Sequence, residues 1–119
     1  MIYIGNYKNI GKYVHNKYIP VSYSNVRPIW YVEGSNEPAF APDPIWLDDM
    51  KYHGATEEDF AKVYKNYLDT VPYNKFTYYM YSERVYVFIC RYDKEDSLQE
   101  KVFVDYITKK FSKEVIRLD

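Results

Sequence analysis

A nearly unbroken apolar run, Arg84–Cys90 (Arg-Val-Tyr-Val-Phe-Ile-Cys), constrains the fold of this chain more than any other segment. Its β-branched and aromatic residues favour a strand. A strand with apolar side chains on both sides is typical of the interior of a parallel sheet, where helices cover both faces. The segment therefore predicts an α/β architecture with this strand near the centre of the sheet.

Three other segments have the pattern of shorter strands. Met1–Gly5 is apolar and ends at a turn signal, and Glu114–Leu118 forms a last short strand. Tyr18–Ser24 is the remaining candidate, and its Pro20 must lie at the strand start or where no ladder hydrogen bond is needed. Together with the central run, these segments predict a sheet of about four strands.

Two helices are indicated by caps and apolar periodicity. Thr56 is placed to cap a helix whose acidic first turn, residues 57–59, suits the helix dipole and not a catalytic cluster. Its apolar stripe consists of Phe60, Val63, Tyr64, Tyr67, Leu68 and Val71, and Pro72 ends it. Ser97 and Glu100 form a capping-box pattern that begins a second helix extending to about Phe111.

The remaining segments are less regular. A short helix over Ile45–Tyr52 follows the start signal Asp43-Pro44. Residues 6–17 fit a loop or a poor helix, and residues 74–81 fit either a strand or a short helix. Residues 25–44 hold four of the six prolines, which predicts a long irregular loop of the kind that is functional or mobile.

The order of these elements favours one α/β domain over residues 1–119. We expect a small single-domain sandwich with a mainly parallel sheet of about four strands flanked by helices. A chain of 119 residues is close to the usual size of one domain and too short for two independent cores.

Charge and composition exclude several classes of function. The net charge of −1 argues against a protein that binds duplex nucleic acid by neutralising phosphates, and equally against an acidic DNA mimic. No apolar run approaches the roughly 20 residues of a membrane span, and the N-terminus lacks the pattern of a signal peptide. The single cysteine, Cys90, excludes an internal disulfide. These features predict a cytoplasmic protein with no membrane partner.

The carboxyl ends of the predicted strands indicate where a ligand would bind, since open α/β sheets hold their ligands at that edge. The residues that follow the three longer strands are Asn6, Tyr7, Ser24, Asn25, Arg27, Trp30, Tyr31, Arg91, Tyr92 and Asp93. Arginine forks suit phosphate or carboxylate oxygens, and aromatic rings suit a base. We therefore expect Arg27 and Arg91 to point into one shared hollow. The alternative is that both arginines form salt bridges with Asp or Glu.

Signals for catalysis, metals and cofactors are weak. His15 and His53 share no metal-ligand spacing, and the four glycines form no phosphate loop, so we expect no metal and no cofactor. No catalytic residue is assigned. An enzyme would need either Cys90 as its nucleophile or Asp93 as its acid/base. A lone cysteine in a strand is, however, more often a packing residue.

Four short motifs resemble a family of small bacterial and phage proteins that is classified as a domain of unknown function. They are Ile-Pro-Val-Ser-Tyr-Ser (19–24), Arg-Pro-x-Trp (27–30), Ala-Pro (41–42) and Val-Tyr-Val-Phe-Ile-Cys-Arg-Tyr (85–92). The resemblance covers nearly the whole chain. It implies an α/β fold with a pocket at the strand ends and a phage or bacterial origin, without implying a reaction.

The family pattern usually continues with a Cys-His-Arg element that opens the last helix. This chain has Lys-Glu-Asp-Ser-Leu-Gln-Glu-Lys in that region, which implies that any chemistry of the element is lost and only binding is retained. The resemblance implies a role in the site for five residues that match the family motifs: Ser22, Ser24, Arg27, Trp30 and Cys90.

These observations lead to three hypotheses for function. The first is a non-enzymatic protein that binds a small anionic, nucleotide-like ligand at the strand ends, which in a phage would serve counter-defence by sequestering a host signal. The second is a nucleoside- or nucleotide-processing enzyme. The third is an inhibitor that binds a host protein through a tyrosine-rich surface, including residues 73–81. The chain contains 16 tyrosines, and this number reflects either the codon usage of an AT-rich genome or a tyrosine-rich binding surface of this kind.

Overall fold

A parallel sheet of five strands forms the centre of the computed structural model, which describes residues 2–25, 28, 30–31 and 34–119. The strands are β1 (Ile2–Asn6), β2 (Ile19–Ser22), β3 (Ser35–Asn36), β4 (Tyr86–Arg91) and β5 (Val115–Arg117). The helices are α1 (Ile10–His15), α2 (Pro44–Tyr52), α3 (Glu57–Leu68), α4 (Tyr73–Met80) and α5 (Leu98–Phe111). The predicted α/β sandwich is confirmed.

The apolar run that dominates the sequence forms β4, the middle strand of the order β3-β2-β4-β1-β5. Val87 and Phe88 in this strand are completely buried. Their side chains enter different clusters, because successive residues of a strand point to opposite faces. Phe88 packs with residues of α3, α4 and α5, whereas Val87 packs with Tyr13 of α1 and other residues on the opposite face.

The connections of the sheet place a topological switch point between β1 and β4. From β1 the chain passes through α1 to β2 on one side, and from β4 it passes through α5 to β5 on the other side. Neighbouring strands whose connections leave in opposite directions form a topological switch point, and ligands of such sheets bind beyond the carboxyl ends of those strands. Asn6 and Arg91, paired in the ladder, end the two strands at this point.

Several helix boundaries follow their sequence signals. Thr56 and Asp59 form the reciprocal hydrogen bonds of a capping box at the start of α3, as predicted for the Thr56 cap. The helix ends at Leu68, before the predicted limit at Pro72, and Pro72 instead precedes α4. The ambiguous segment 74–81 is therefore mostly helical.

The proline-rich segment contains the fifth strand, which the sequence did not predict. Ser35 and Asn36 pair with Val21 and Ser22 of β2 at the edge of the sheet. A two-residue strand has too few residues to show alternation, so only its partner strand identifies it. Of the remaining segments, residues 6–17 form a 3-10 turn followed by α1.

No helix in the described part of the chain combines the length and the apolar character that crossing a bilayer requires. The longest, α5, has 14 residues.

Gly5 is required where β1 passes Tyr13 of α1. A Cβ at position 5 would lie 2.5 Å from the Tyr13 hydroxyl oxygen and 2.6 Å from Cζ of the same ring. Tyr13 is buried, and its hydroxyl accepts a hydrogen bond from the backbone N–H of Asn6, so the ring is not free to withdraw. We expect Gly5→Ala to lower the free energy of unfolding by about 1–3 kcal/mol through overpacking.

Gly11 provides a matched control, because a Cβ there meets no atom within 4 Å and the residue lies in α1. Gly11→Ala should raise the free energy of unfolding by about 0.5–1 kcal/mol through helix propensity. Urea denaturation of both variants measures the difference. Equal effects of the two substitutions would contradict the packing of Tyr13 against β1.

Candidate functional site

Among the described residues at the carboxyl edge of the sheet, Arg91 is the most buried cation, with 1% of its side chain exposed. Its Nε donates to Glu100 of α5 at 2.7 Å, and its Nη1 donates to the backbone carbonyl of Asp93 at 2.6 Å. Both terminal nitrogens also donate to Asp119, at 2.6 and 2.9 Å. Of the two alternatives for Arg91, the structure shows the salt bridge, although in a buried position and not at the surface.

The Asp119 carboxylate is held by donors from the ends of three strands. Besides the fork of Arg91 at the end of β4, it accepts from Arg117 Nε at 2.9 Å and from Asn6 Nδ2 at 3.1 Å. Arg117 ends β5 and Asn6 ends β1. Only 5% of the Asp119 side chain is exposed, so water contributes little to its solvation. The edge of the sheet thus contains an assembled oxyanion site.

Two carboxylates and two guanidiniums balance one another in this cluster. The cluster consists of the guanidiniums of Arg91 and Arg117 and the carboxylates of Glu100 and Asp119. Arg91 pairs with Asp119, and Arg117 Nη1 lies 3.9 Å from a Glu100 oxygen. Burial acts to raise the pKa of the Asp119 carboxyl, but hydrogen bonds from Arg91 and Arg117 outweigh it and hold the pKa below its ordinary value. Burial raises the pKa of Glu100, although Arg91 acts in the opposite direction.

Asn6 and Asp93 lie at the same edge as Arg91, as predicted. Asn6 is completely buried, and besides binding Asp119 it caps the following turn by accepting from the backbone N–H of Asn9. Asp93 forms an exposed ion pair with Lys8 at 3.2 Å. The backbone N–H of Lys8 donates to the Tyr92 carbonyl, which ties together the segments that follow β1 and β4.

A second group of predicted residues surrounds Tyr7. Its hydroxyl is 2.5 Å from Ser22 Oγ at the end of β2, and both residues are buried. Trp30 and Tyr31 pack edge-on against the Tyr7 ring, with centroids 6.4 and 5.6 Å away. Trp30 is 49% exposed and is the accessible aromatic surface of this group.

A third group lies beside the proline-rich segment. Ser24 is half-buried, and Asn25 donates to the Pro42 carbonyl at 2.5 Å. Asn25, Pro42 and Trp46 contribute to a shallow hollow of about 360 Å³. Arg27 lies outside the described residues, so the expectation that it shares a hollow with Arg91 stays a prediction.

A hollow of about 520 Å³ opens beside the oxyanion site. Its apolar residues are Ile4, Leu98 and Val104, and its cations are Lys101 and Arg117. Ser97, Glu57, Asp96 and Glu100 complete its lining. Arg117 and Glu100 belong to both the hollow and the charged cluster, so the two features form one continuous site.

Sequence reasoning selected Asn6 and Arg91 but missed Arg117, Lys101, Glu100 and Asp119. The rule used for the other strands, applied to the predicted last strand Glu114–Leu118, would have selected Asp119, whereas Arg117 lies within that predicted strand. Glu100 was interpreted only as a capping residue. In the structure Ser97 does cap α5 by accepting from the backbone N–H of Glu100, but the Glu100 side chain turns to Arg91.

Cys90, the candidate nucleophile, is poorly suited to catalysis. Burial raises the pKa of its thiol to about 11, although the hydrogen bond with Ser97 acts to lower it. The sulfur lies 3.6 Å from the Ser97 hydroxyl. The thiolate is the nucleophilic form, and little of it exists at neutral pH when the pKa is this high.

The thiol should therefore react slowly. At pH 8 we expect iodoacetamide to alkylate native Cys90 roughly a hundredfold or more slowly than a free cysteine of pKa about 8.5. Mass spectrometry of timed samples measures the rate, and the urea-unfolded chain is the control. Alkylation of the native protein at the unfolded rate would return Cys90 to the list of candidate nucleophiles.

Three exposed tyrosines lie in α4 or directly after it. Tyr73, Tyr78 and Tyr81 are 59%, 61% and 57% exposed, and Lys113 lies over the Tyr81 ring. This arrangement is compatible with the hypothesis of a protein-binding surface, which stays a prediction.

Among the described residues, no group of three His, Cys, Asp or Glu side chains is arranged to hold a metal ion. A comparison with family models, curated proteins and solved structures finds no match to this chain. The resemblance to the bacterial and phage family therefore stays a prediction, and the functional argument depends on the geometry of the site alone.

Proposed function

We propose that the protein binds a small anionic, nucleotide-like ligand at the carboxyl edge of its sheet without transforming it. One observation carries the proposal: Arg91 and Arg117, from the ends of two strands, converge on the Asp119 carboxylate beside a hollow of about 520 Å³. This edge of an α/β sheet is where ligands bind in proteins of this architecture.

The size and walls of the hollow suit such a ligand. A volume of about 520 Å³ falls within the range of roughly 300–1,000 Å³ that is common for small-molecule sites. Ile4, Leu98 and Val104 give one apolar wall against which a planar base can pack.

The charges of the hollow favour a ligand with both acceptors and donors. Lys101 and Arg117 suit phosphate oxygens. Glu57 and Asp96 can accept hydrogen bonds from ribose hydroxyls or exocyclic amines, the role that an acidic residue has in many dinucleotide sites. A simple inorganic anion would use the cations and leave the carboxylates unused.

Binding without catalysis is favoured over an enzyme by the state of the two candidate reactive residues. Burial holds the pKa of Cys90 at about 11, and the carboxylate of Asp93 is paired with Lys8. Neither residue lines the hollow. Sequestration of a nucleotide needs tight binding only, which is compatible with the counter-defence role proposed from the resemblance to phage proteins.

We expect at least one of a panel of nucleoside mono-, di- and triphosphates to bind and to raise the melting temperature of the protein. Arg117→Ala and Lys101→Ala should each weaken binding about tenfold or more, since each removes a charge-assisted hydrogen bond. Arg84→Ala is the matched control, because Arg84 is exposed and precedes the opposite, amino end of β4. Isothermal titration calorimetry measures the affinities.

Two results would contradict the proposal. One is that no nucleotide in the panel binds at millimolar concentration. The other is that binding depends equally on Arg84 and Arg117. Chromatography of the ligand after incubation separates binding from the enzyme hypothesis, because a sequestered nucleotide is recovered unchanged.

A further inference from the structure

We propose that Asn6, Arg91 and Arg117 form a phosphate subsite that the Asp119 carboxylate occupies in the ligand-free protein, and that a phosphate group binds there by displacing Asp119. This inference rests on the proposed function and deepens it. It states that the ligand binds through a phosphate group and that the Asp119 carboxylate competes with this group for the same donors.

The contacts of Asp119 are those of a bound ligand. One of its oxygens accepts from Arg91 Nη2 and Asn6 Nδ2, and the other accepts from Arg91 Nη1 and Arg117 Nε. A guanidinium fork binds two oxygens of a phosphate in the same bidentate manner as it binds a carboxylate. The donors are therefore already arranged for a phosphate.

Asp119 is the carboxylate that can leave. Glu100 also binds Arg91, but it lies within α5 and is fixed by that helix. Asp119 follows β5, which ends at Arg117, and the preceding Leu118 still donates its backbone N–H to the Ile4 carbonyl. Rotation at one residue beyond the sheet therefore vacates the subsite without disturbing a strand or a helix.

Charge balance selects an anion as the replacement. With Asp119 in place, Arg91 and Arg117 are matched by Glu100 and Asp119. Withdrawal of Asp119 leaves Arg91 and Arg117 with Glu100 as the one remaining carboxylate of the cluster, which is an excess of one positive charge. A phosphate group restores the balance, whereas a neutral ligand does not.

The subsite is continuous with the hollow that the rest of the ligand would occupy. Arg117 contacts Asp119 and also lines the hollow of about 520 Å³. A phosphate on the subsite can therefore extend into the hollow as a phosphate ester, with its organic part against Ile4 and Leu98.

Inorganic pyrophosphate is the probe that tests the exchange, because it has phosphate groups but no base. Calorimetry should show that Asp119→Asn binds pyrophosphate about tenfold or more tightly than the wild type, since the competitor is removed. Asp48→Asn is the matched control, because it makes the same change in net charge at an exposed position on α2 and should leave the affinity unchanged.

A wild-type measurement keeps the test decisive if Asp119→Asn does not fold. In protein labelled with ¹³C at the aspartate carboxyl carbons, saturating pyrophosphate should shift the Asp119 resonance towards that of an exposed aspartate. A resonance that does not move at saturation overturns the exchange.

Other outcomes separate this inference from the proposed function. Equal pyrophosphate affinities in the wild type and Asp119→Asn overturn the exchange, as does failure of both to bind. If nucleotides nevertheless bind in an Arg117-dependent way, the proposed function stands and only the displacement is wrong. If nucleotides also fail to bind, both are wrong.

Discussion

The guanidinium of Arg91 imposes the strongest constraint on this structure, because a buried charge needs partners that can stay with it. Its side chain is 1% exposed, and its partners come from α5, from the segment after β4 and from the residue two positions beyond β5. A buried ion pair is often no more stable than an apolar replacement, but losing one partner is costly. The cluster therefore fixes how these elements meet at the edge of the sheet.

The topology explains why a charged cluster at this place has functional meaning. β1 and β4 form the switch point of the sheet, and their last residues are Asn6 and Arg91. Backbone and side-chain donors at this edge point towards the space where ligands of α/β proteins bind. In this protein the space nearest the arginines contains the carboxylate of Asp119, and the adjoining hollow extends along α5. Structural pairing and anion recognition thus use the same donors.

Much of the fold could be predicted from local sequence signals. The apolar run of β4, the Thr56 cap of α3 and the start of α5 at Ser97 each depend on neighbouring residues only. The strand-end rule also placed Asn6 and Arg91 at one edge. The pairing of Arg91 with Asp119 and Glu100 could not be predicted in the same way, because Asp119 is 28 positions away and Glu100 also fits a local capping pattern. Long-range pairing of charges leaves no periodic signal in the sequence.

A double-mutant cycle between Arg91 and Glu100 tests the central claim most directly. The free energies of unfolding of the wild type, Arg91→Met, Glu100→Leu and the double variant are measured by urea denaturation. The buried pair predicts a coupling energy of about 2–3 kcal/mol, because either single substitution leaves the buried cluster with one unmatched charge and the double substitution does not. Effects that add within about 0.5 kcal/mol would contradict the account, since independent residues cannot form the cluster on which the edge of the sheet depends.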